Sequence, residues 1–227
     1  MDLAQLIADT PLLASLPAED RASILTNFVR RTYPRAETIF RTGDPGTHLY
    51  LIESGRVKIT RVSPDGREAL VAIIGQGEVF GELSLFDAGL RTADARTMEP
   101  TVLQALSHDV FRRYVLGHPE IAWQMFRILA MRLRAADETI QDVVFFDVPG
   151  RVARRLLDLA QRHGREVDAG ALRIDVPITQ EEIAQMIGAS RESVNKALGT
   201  FIERGWVTLD ERIYTIRNPD ALRSRLH

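Results

Sequence analysis

The sequence contains no cysteine among its 227 residues. That absence excludes disulfides, cysteine-ligated zinc and cysteine-ligated iron–sulfur clusters. No run of 18 apolar residues occurs either, which is the length that a membrane-spanning helix requires. The amino terminus lacks the basic segment and apolar core of a signal peptide. With 45% hydrophobic and 26% charged residues, the composition predicts a globular cytoplasmic protein without a membrane partner.

Histidine is scarce as well, and the five histidines are scattered. They lie at positions 48, 108, 118, 163 and 227 and show no metal-ligand spacing. The sequence contains neither a Ser-His-Asp arrangement nor a glycine-rich phosphate-binding P-loop. We therefore expect no bound metal and no enzymatic activity.

Charge is divided unevenly along the chain, although the net charge is only −2. Residues 150–227 hold 13 Lys and Arg against 11 Asp and Glu, while the preceding residues hold 16 against 20. This small asymmetry has the sign expected of an acidic sensor joined to a nucleic-acid-binding domain. Charge alone does not identify the partner.

Short β-type runs separated by glycines occupy the segment 39–106, after a predicted helical lead-in over residues 11–30. Val57 and Ile59 alternate with Lys58 as in a half-buried strand. Many short, evenly spaced strands predict a jelly roll or barrel. The predicted strands cover residues 38–40, 48–52, 56–62, 69–74, 79–80 and 101–106, with a turn at 64–66.

A long helix is predicted from Pro119 to about Val144. Its apolar residues alternate at spacings of three and four, which sustains a heptad seam that faces another helix. The seam consists of Ala122, Phe126, Leu129, Leu133, Ala136, Ile140 and Val143. It predicts homodimerisation through residues 119–146. The alternative is an amphipathic helix packed only on its own domain. A second stripe of Ile121, Met125 and Ile128 suits packing on the β-domain.

The segment Asp147-Val148-Pro149-Gly150 interrupts this helix and predicts a hinge over residues 147–150. A further helix is expected from Arg151 to Gln161. Two short strands are expected after it, around Leu172 and Val176.

Residues 179–203 predict a helix-turn-helix. Thr179 and Glu182 form a capping box, Gly188 suits a turn with positive φ, and Ser190 caps the second helix. The expected inner face of that helix is Val194, Leu198, Phe201 and Ile202. Two strands that flank a turn at 210–211 predict a hairpin wing. The alternative is an ordinary helical hairpin with a solvated polar face.

The outer, amino-terminal face of the second helix carries Arg191, Glu192, Asn195 and Lys196. This is the part of a recognition helix that reaches base edges in the major groove. Arginine can donate two hydrogen bonds to guanine, and glutamate can accept one from cytosine. The side chains therefore suit double-stranded DNA.

Over essentially its whole length the sequence resembles the CRP/FNR family, and its motifs are most similar to those of actinobacterial CRP-like regulators. The motifs that carry the resemblance are Phe80-Gly81-Glu82-Leu83-Ser84, Arg91-Thr92-Ala93, Phe146-Asp147-Val148-Pro149-Gly150-Arg151-Val152 and Ala189-Ser190-Arg191-Glu192-Ser193-Val194-Asn195-Lys196.

The resemblance implies an α+β fold in three parts. These are an N-terminal cyclic-nucleotide-binding β-roll (jelly roll), a long dimerisation helix and a C-terminal winged helix-turn-helix. The expected boundaries are 1–118 for the sensor domain, 119–146 for the helix, 147–150 for the hinge and 151–227 for the DNA-binding domain.

The resemblance also implies a ligand cassette. Glu82 would hold a ribose 2′-hydroxyl, Arg91 would pair with a cyclic phosphate, Thr92 would add a hydroxyl donor, and Arg132 would buttress Glu82. A guanidinium fork and neutral donors suit a buried monoanionic phosphate. The remaining expected ligand-binding residues are Gly81, Leu83, Ser84, Ala136 and Asp137.

Two positions depart from the pattern of relatives that respond to cyclic AMP. Ala136 and Asp137 stand where those relatives carry an adenine-reading Thr followed by Ser or Asn. Alanine cannot hydrogen-bond the adenine amino group, whereas Asp137 can accept from it but adds negative charge. Cyclic AMP is the expected effector. Cyclic GMP, cyclic di-GMP and a state that is active without ligand are the alternatives.

The implied function is allosteric transcription regulation by a homodimer on a TGTGA-like palindrome. Arg191 and Glu192 would read bases, with Lys196 and the hydroxyls of Thr179 and Ser190 nearer the phosphates. Glu181 and Asn195 complete the expected DNA-binding set. The loop 165–173 is where relatives contact RNA polymerase. A regulatory module that binds another protein is the rival outside DNA binding.

Overall fold

The computed structural model describes residues 3–86 and 89–226. The chain divides into two compact units, Met1–Arg132 and Leu133–His227. This division falls inside the long helix, so the boundaries drawn from the sequence, which separate that helix from both domains, stay a prediction. In the described ranges, no helix is long and apolar enough to cross a membrane.

The first unit combines helices with eight β-strands in its described part. Its helices are α1 (Leu3–Asp9), α2 (Pro11–Ala14), α3 (Ala18–Leu25), α4 (His108–Gly117) and the start of α5 (Pro119–Phe145). Its strands are β1 (Val29–Tyr33), β2 (Thr38–Phe40), β3 (His48–Ser54), β4 (Val57–Val62), β5 (Glu68–Ile74), β6 (Val79–Phe80), β7 (Asp94–Thr97) and β8 (Thr101–Ser107).

These strands form two four-stranded antiparallel sheets, in the orders β1-β8-β3-β6 and β2-β7-β4-β5. One apolar cluster, which includes Tyr50, Ile52, Val57, Phe80 and Leu103, draws residues from both sheets. A second cluster joins the first sheet to α1–α5. The predicted α+β fold with a β-roll is thus confirmed.

The sequence prediction missed three elements of this unit and assigned one region wrongly. Strand β7 and helices α1 and α4 were not predicted. The expected helical lead-in over 11–30 ends at Leu25, and Val29 already begins β1. The pairing of β1 with β8 stabilises extended backbone there, although Arg30 and Arg31 weaken its apolar alternation.

Helix α5 is 27 residues long and contributes residues to both units. Ile121 and Met125 are buried, and Ile128 packs against the same cluster, as predicted for the stripe that faces the β-domain. Phe126, Leu133 and Ile140 of the heptad seam are each more than 60% exposed in the single chain. The seam therefore leaves large apolar side chains without cover in the chain alone.

The second unit combines helices with a small four-stranded sheet in its described part. Its further helices are α6 (Val148–His163), α7 (Gln180–Ile187), α8 (Arg191–Glu203) and α9 (Pro219–Arg223). Strands β9 (Gly164–Glu166), β10 (Leu172–Ile174), β11 (Val207–Asp210) and β12 (Ile213–Ile216) form an antiparallel sheet in the order β11-β12-β10-β9. The predicted hairpin wing corresponds to β11 and β12.

Three local predictions in this unit were wrong. Helix α6 begins at Val148 rather than Arg151, because the Asp147 carboxylate caps Gly150 N at 2.8 Å and proline is tolerated in a first helical turn. The helical break therefore covers only Phe146 and Asp147 of the described chain. No strand forms near Val176 in the described chain; the second strand before α7 is β9, at Gly164–Glu166. Ile202 was expected on the inner face of α8 but is 41% exposed.

Candidate ligand and nucleic-acid sites

The guanidinium of Arg91 is the centre of a buried polar cluster in the β-roll, although the side chain is charged. Only 5% of Arg91 is exposed. Its Nη1 donates to the Gly81 carbonyl at 2.8 Å and to Ser84 Oγ at 3.1 Å, and its Nη2 donates to the His48 carbonyl at 2.7 Å. These bonds fix the plane of the guanidinium.

An aromatic pad supports the same guanidinium. Its central carbon lies 4.1 Å from the Phe40 ring centroid and 5.7 Å from that of Tyr50. Tyr50 in turn stacks on Phe80. Burial lowers the pKa of Arg91 below its ordinary value, while Tyr50, Glu82 and Asp44 act in the opposite direction. An anion beside Arg91 would therefore meet a strong donor held in a partly dry setting.

Gly81 lets this cluster form, because its φ of +81° is left-handed and a side chain would collide with Arg91. A Cβ at this position would lie 2.8 Å from Arg91 Nη1 and 3.3 Å from the His48 carbonyl. Glycine is the residue that accepts both constraints at least cost.

Glu82 lies beside Gly81 and is 1% exposed. One of its carboxylate oxygens accepts a hydrogen bond from Arg132 Nη1, and Arg132 Nη2 donates to the Val79 carbonyl at 2.8 Å. Arg132 belongs to α5. The structure therefore shows a contact between Arg132 and Glu82, while the expected role of Arg132 as a buttress stays a prediction.

Two polar atoms of this cluster are buried without a hydrogen-bond partner, namely Glu82 Oε2 and Arg91 Nε. Such atoms are costly in a native structure unless something else satisfies them. One is an acceptor that suits a hydroxyl, and the other is a donor that suits a phosphate oxygen. The residues present thus fit a small ligand that carries both a hydroxyl and an anionic phosphate.

The other residues of the expected ligand-binding set differ in how far they are buried. Ser84 is buried beside Arg91, whereas Leu83 is 42% exposed. Thr92 is half-buried, and its carbonyl accepts from Arg61 at 3.1 Å. Ala136 and Asp137 are exposed on the portion of α5 that belongs to the second unit.

Sequence reasoning did not find the aromatic pad or the carbonyls that hold Arg91. Phe40 and Tyr50 lie in predicted strands, but they belong to different sheets. Their contact with Arg91 depends on how the roll closes, which strand periodicity does not reveal. In the described chain, no group of three or more His, Cys, Asp or Glu side chains is arranged to hold a metal ion.

The helix-turn-helix has the local geometry that the sequence predicts. The capping box between Thr179 and Glu182 is complete, and Gly188 ends α7 with a φ of +63°. Ser190 Oγ caps α8 by accepting from Ser193 N at 3.2 Å. Val194 and Leu198 are buried on the inner side of α8.

The opposite side of α8 presents Arg191, Glu192, Asn195 and Lys196, all of which are exposed. Ser190 and Glu181 are exposed as well, and Thr179 is half-buried. The wing follows α8, and the Ile178 amide donates to the Arg212 carbonyl at 3.0 Å. This bond ties the wing turn to the chain just before α7. The second unit therefore offers a polar helical face with a fixed hairpin beside it.

Two family models match the chain. The model for the cyclic nucleotide-binding domain matches residues 30–118, and the model for the Crp-like helix-turn-helix domain matches residues 150–225.

Similar proteins are found among curated sequences. The chain is 48% identical over 193 residues to the CRP-like cAMP-activated global transcriptional regulator of Mycobacterium tuberculosis, covering 85% of this chain and 86% of that protein. It is 36% identical over 213 residues to the cyclic AMP receptor protein of Thermus thermophilus, covering 94% and 95%.

Solved structures of regulators have a similar fold. The c-di-GMP-responsive global regulator CLP of Xanthomonas campestris matches with a TM-score of 0.76 and 26% identity, covering 88% of this chain and 99% of that one. A CooA mutant from Carboxydothermus hydrogenoformans matches with a TM-score of 0.78 over 97% and 98%. At 24% identity, this second likeness concerns the fold alone.

Proposed function

The chain belongs to the CRP/FNR family of transcription regulators, and on that premise we propose that it is a homodimeric regulator whose DNA binding is controlled by a cyclic nucleotide. Cyclic AMP is the proposed effector, since relatives at 48% and 36% identity carry it in their names. The proposed DNA site is a TGTGA-like palindrome. We place the protein in the cytoplasm.

The observation that carries the proposal is the pair of unpartnered buried atoms, Glu82 Oε2 and Arg91 Nε. In the proposed complex, Glu82 accepts from the ribose 2′-hydroxyl and Arg91 donates to the cyclic phosphate. The Thr92 hydroxyl adds a donor to that phosphate. Gly81, Leu83 and Ser84 form the rest of the cassette. A hydroxyl and a phosphate oxygen would satisfy groups that the protein alone leaves unmet.

Control of DNA binding is proposed to act through α5. Arg132 donates a hydrogen bond to the Glu82 carboxylate. A ligand hydroxyl that also donates to this carboxylate would therefore alter the ion pair between Glu82 and Arg132. Helix α5 contributes residues to both units and to the proposed dimer seam over 119–146. A ligand shifts this equilibrium only by its difference in affinity for the two states, typically about 1–3 kcal/mol.

The proposed DNA contacts follow from the exposed face of α8. Arg191 and Glu192 read base edges, Asn195 lies beside them, and Lys196 contacts a phosphate. Two recognition helices of a dimer bind half-sites roughly 34 Å apart, one turn of DNA. The starts of α7 and α8 are proposed to face the DNA phosphate backbone, and they carry Thr179, Glu181 and Ser190. The segment 165–173 is the proposed contact with RNA polymerase.

A second candidate is a family member that binds DNA without ligand or responds to cyclic GMP or cyclic di-GMP. The observation in its favour is the pair Ala136 and Asp137, which replaces the adenine-reading residues expected from the resemblance. A structural relative at 26% identity is described as responsive to c-di-GMP.

The test combines two titrations of the full-length protein. Calorimetry with cyclic AMP, cyclic GMP and cyclic di-GMP measures effector binding, and anisotropy with a TGTGA palindrome and a scrambled duplex measures DNA binding. Cyclic AMP should bind and should tighten binding to the palindrome about 5- to 150-fold. Arg91→Gln should abolish this response, while Arg67→Gln, a matched change at an exposed arginine, should leave it intact.

The alternatives give different results. If the protein binds the palindrome tightly and calorimetry detects no binding of any nucleotide, control by a cyclic nucleotide is overturned and a ligand-independent regulator is favoured. If calorimetry detects binding of only cyclic GMP or cyclic di-GMP, that nucleotide replaces cyclic AMP as the effector. Absence of binding to either duplex under every ligand condition would favour a regulatory module that binds another protein.

A further inference from the structure

Two histidines flank the guanidinium of Arg91. His48 accepts from Arg91 Nη2 through its backbone carbonyl at 2.7 Å. The His108 ring bonds through Nε2 to the Gly81 carbonyl at 3.2 Å, and that same carbonyl accepts from Arg91 Nη1. The His48 backbone thus bonds the guanidinium directly, whereas the His108 ring is joined to it through the shared Gly81 carbonyl. Neither histidine was assigned a role from the sequence.

The His108 ring has a defined tautomer. A carbonyl oxygen can only accept, so Nε2 must carry the hydrogen of the neutral ring. A second proton therefore goes to Nδ1 without breaking the bond to Gly81. His108 can change charge while its position in the cluster is kept.

The groups around both rings oppose protonation. Burial lowers the pKa of His108, and Arg91 and His48 lower it further, while the bond to Gly81 and the charge of Asp109 raise it. Burial also lowers the pKa of His48, as do Arg31 and Arg91. Both rings are therefore mainly neutral at pH 7 in the ligand-free protein.

An anionic phosphate beside Arg91 would reverse part of this balance. It would offset the positive charge that repels a second proton on each ring. Binding of the anion and binding of a proton would then favour one another, and this coupling is reciprocal.

We propose that His48 and His108 make the ligand site at Arg91 a proton-coupled site, in which binding of the anionic ligand takes up a proton and acidification strengthens ligand binding. The proposal rests on the proposed function, because it takes the cyclic nucleotide phosphate to bind at Arg91. It adds a second input, pH, to the regulation of the same site.

The direction and range follow from linkage. In the ligand-free protein the pKa of each ring lies below the ordinary 6.5, and the bound anion would raise both. Affinity therefore increases as pH falls through the range just below and around that value. The cyclic phosphodiester is a monoanion throughout, so the change arises in the protein.

The experiment measures cyclic AMP binding to the full-length protein by calorimetry between pH 5.5 and 8. Each pH is measured in two buffers with different ionisation enthalpies, which yields the number of protons taken up. Wild type should bind about three- to tenfold more tightly at pH 5.5 than at pH 8, since one pKa unit corresponds to a factor of ten. Protons should be taken up on binding.

Variants assign the effect to these two rings. His108→Gln keeps a donor for the Gly81 carbonyl but does not titrate, and together with His48→Gln it should flatten the pH profile of the cyclic AMP affinity and abolish proton uptake. His118→Gln is the control, since His118 lies between Asp20 and Glu120 outside this cluster. NMR titration of wild-type His48 and His108 should show both pKa values rising when cyclic AMP binds.

The possible results are distinguishable. Binding with the same affinity at every pH and no proton uptake would overturn the proton coupling and leave the proposed effector site standing. Equal flattening by His118→Gln would also overturn it. Absence of nucleotide binding at every pH would overturn both proposals.

Discussion

Glu82 and Arg132 are joined by a hydrogen-bonded ion pair although 50 residues separate them in sequence. Glu82 follows strand β6 and is almost fully buried, whereas Arg132 projects from α5 and is 38% exposed in its side chain. The carboxylate that suits a ligand hydroxyl is thus attached directly to the helix that carries the heptad seam. In the proposed mechanism, a change at the ligand cassette would reach α5 through this ion pair.

The first prediction concerns this ion pair. Arg132→Gln should destabilise the protein by about 1–3 kcal/mol, because it leaves the buried Glu82 carboxylate without its cation. The melting temperature should fall by several degrees for a chain of this size. The variant should also lose most of the ligand-induced gain in DNA affinity, measured by anisotropy with and without cyclic AMP.

The double variant Glu82→Gln/Arg132→Gln is the control for this prediction. It removes both charges, so it should recover much of the lost stability while the ligand response stays absent. Recovery of the response as well would show that the pair acts only on stability. An unchanged melting temperature in Arg132→Gln would contradict the structural importance of the pair.

A second prediction concerns Gly81, which combines a left-handed backbone with close contact to Arg91. Gly66 is a matched control, since its φ is +84° and no atom lies within 4 Å of the Cβ position. Gly66→Ala should cost roughly 1–2 kcal/mol of stability through backbone strain, and Gly81→Ala should cost more because its Cβ also collides with Arg91. Only Gly81→Ala should displace Arg91 and weaken cyclic AMP binding tenfold or more by calorimetry. Equal nucleotide affinity in both variants would contradict this role of Gly81.

Most of the fold could be predicted because its elements have strong local patterns. Helix α5 begins at the predicted Pro119, and the capped helices α7 and α8 match their sequence motifs. The errors occurred where tertiary pairing prevails over local preference. Strand β1 contains two arginines and is held by its pairing with β8. Asp147 caps the first turn of α6, in which Pro149 is tolerated.

The ligand site was only partly predictable for the same reason. The resemblance indicated Glu82, Arg91 and Arg132; the structure bonds Glu82 to Arg132, and the charge of Glu82 acts on Arg91. The Phe40 ring under Arg91 and the His108 ring on Gly81 come from distant strands and helices. Their contacts depend on the closure of two sheets, which no local spacing in the sequence encodes.

A third prediction tests the dimer seam. Leu133 is 64% exposed in the single chain, so Leu133→Glu should leave the isolated fold nearly unchanged but place a charge in the proposed interface. Light scattering should show the mass of one chain instead of two, and affinity for the palindrome should fall sharply. The neighbouring Arg134→Glu introduces the same residue outside the seam and should remain dimeric. A dimeric Leu133→Glu protein would place the interface elsewhere.

The last prediction separates base reading from phosphate contact on α8. Arg191 and Lys196 are both exposed, so alanine at either position should change stability by no more than about 0.5 kcal/mol. Arg191→Ala should cost about 1–3 kcal/mol of binding and relax specificity at one base position of each half-site. Lys196→Ala should weaken binding to all duplexes alike and reduce the salt slope by about 1. Anisotropy over a salt series on single-base variants of the palindrome measures both. If Arg191→Ala lowers affinity equally on every duplex, Arg191 contacts the backbone and sequence is read by other residues.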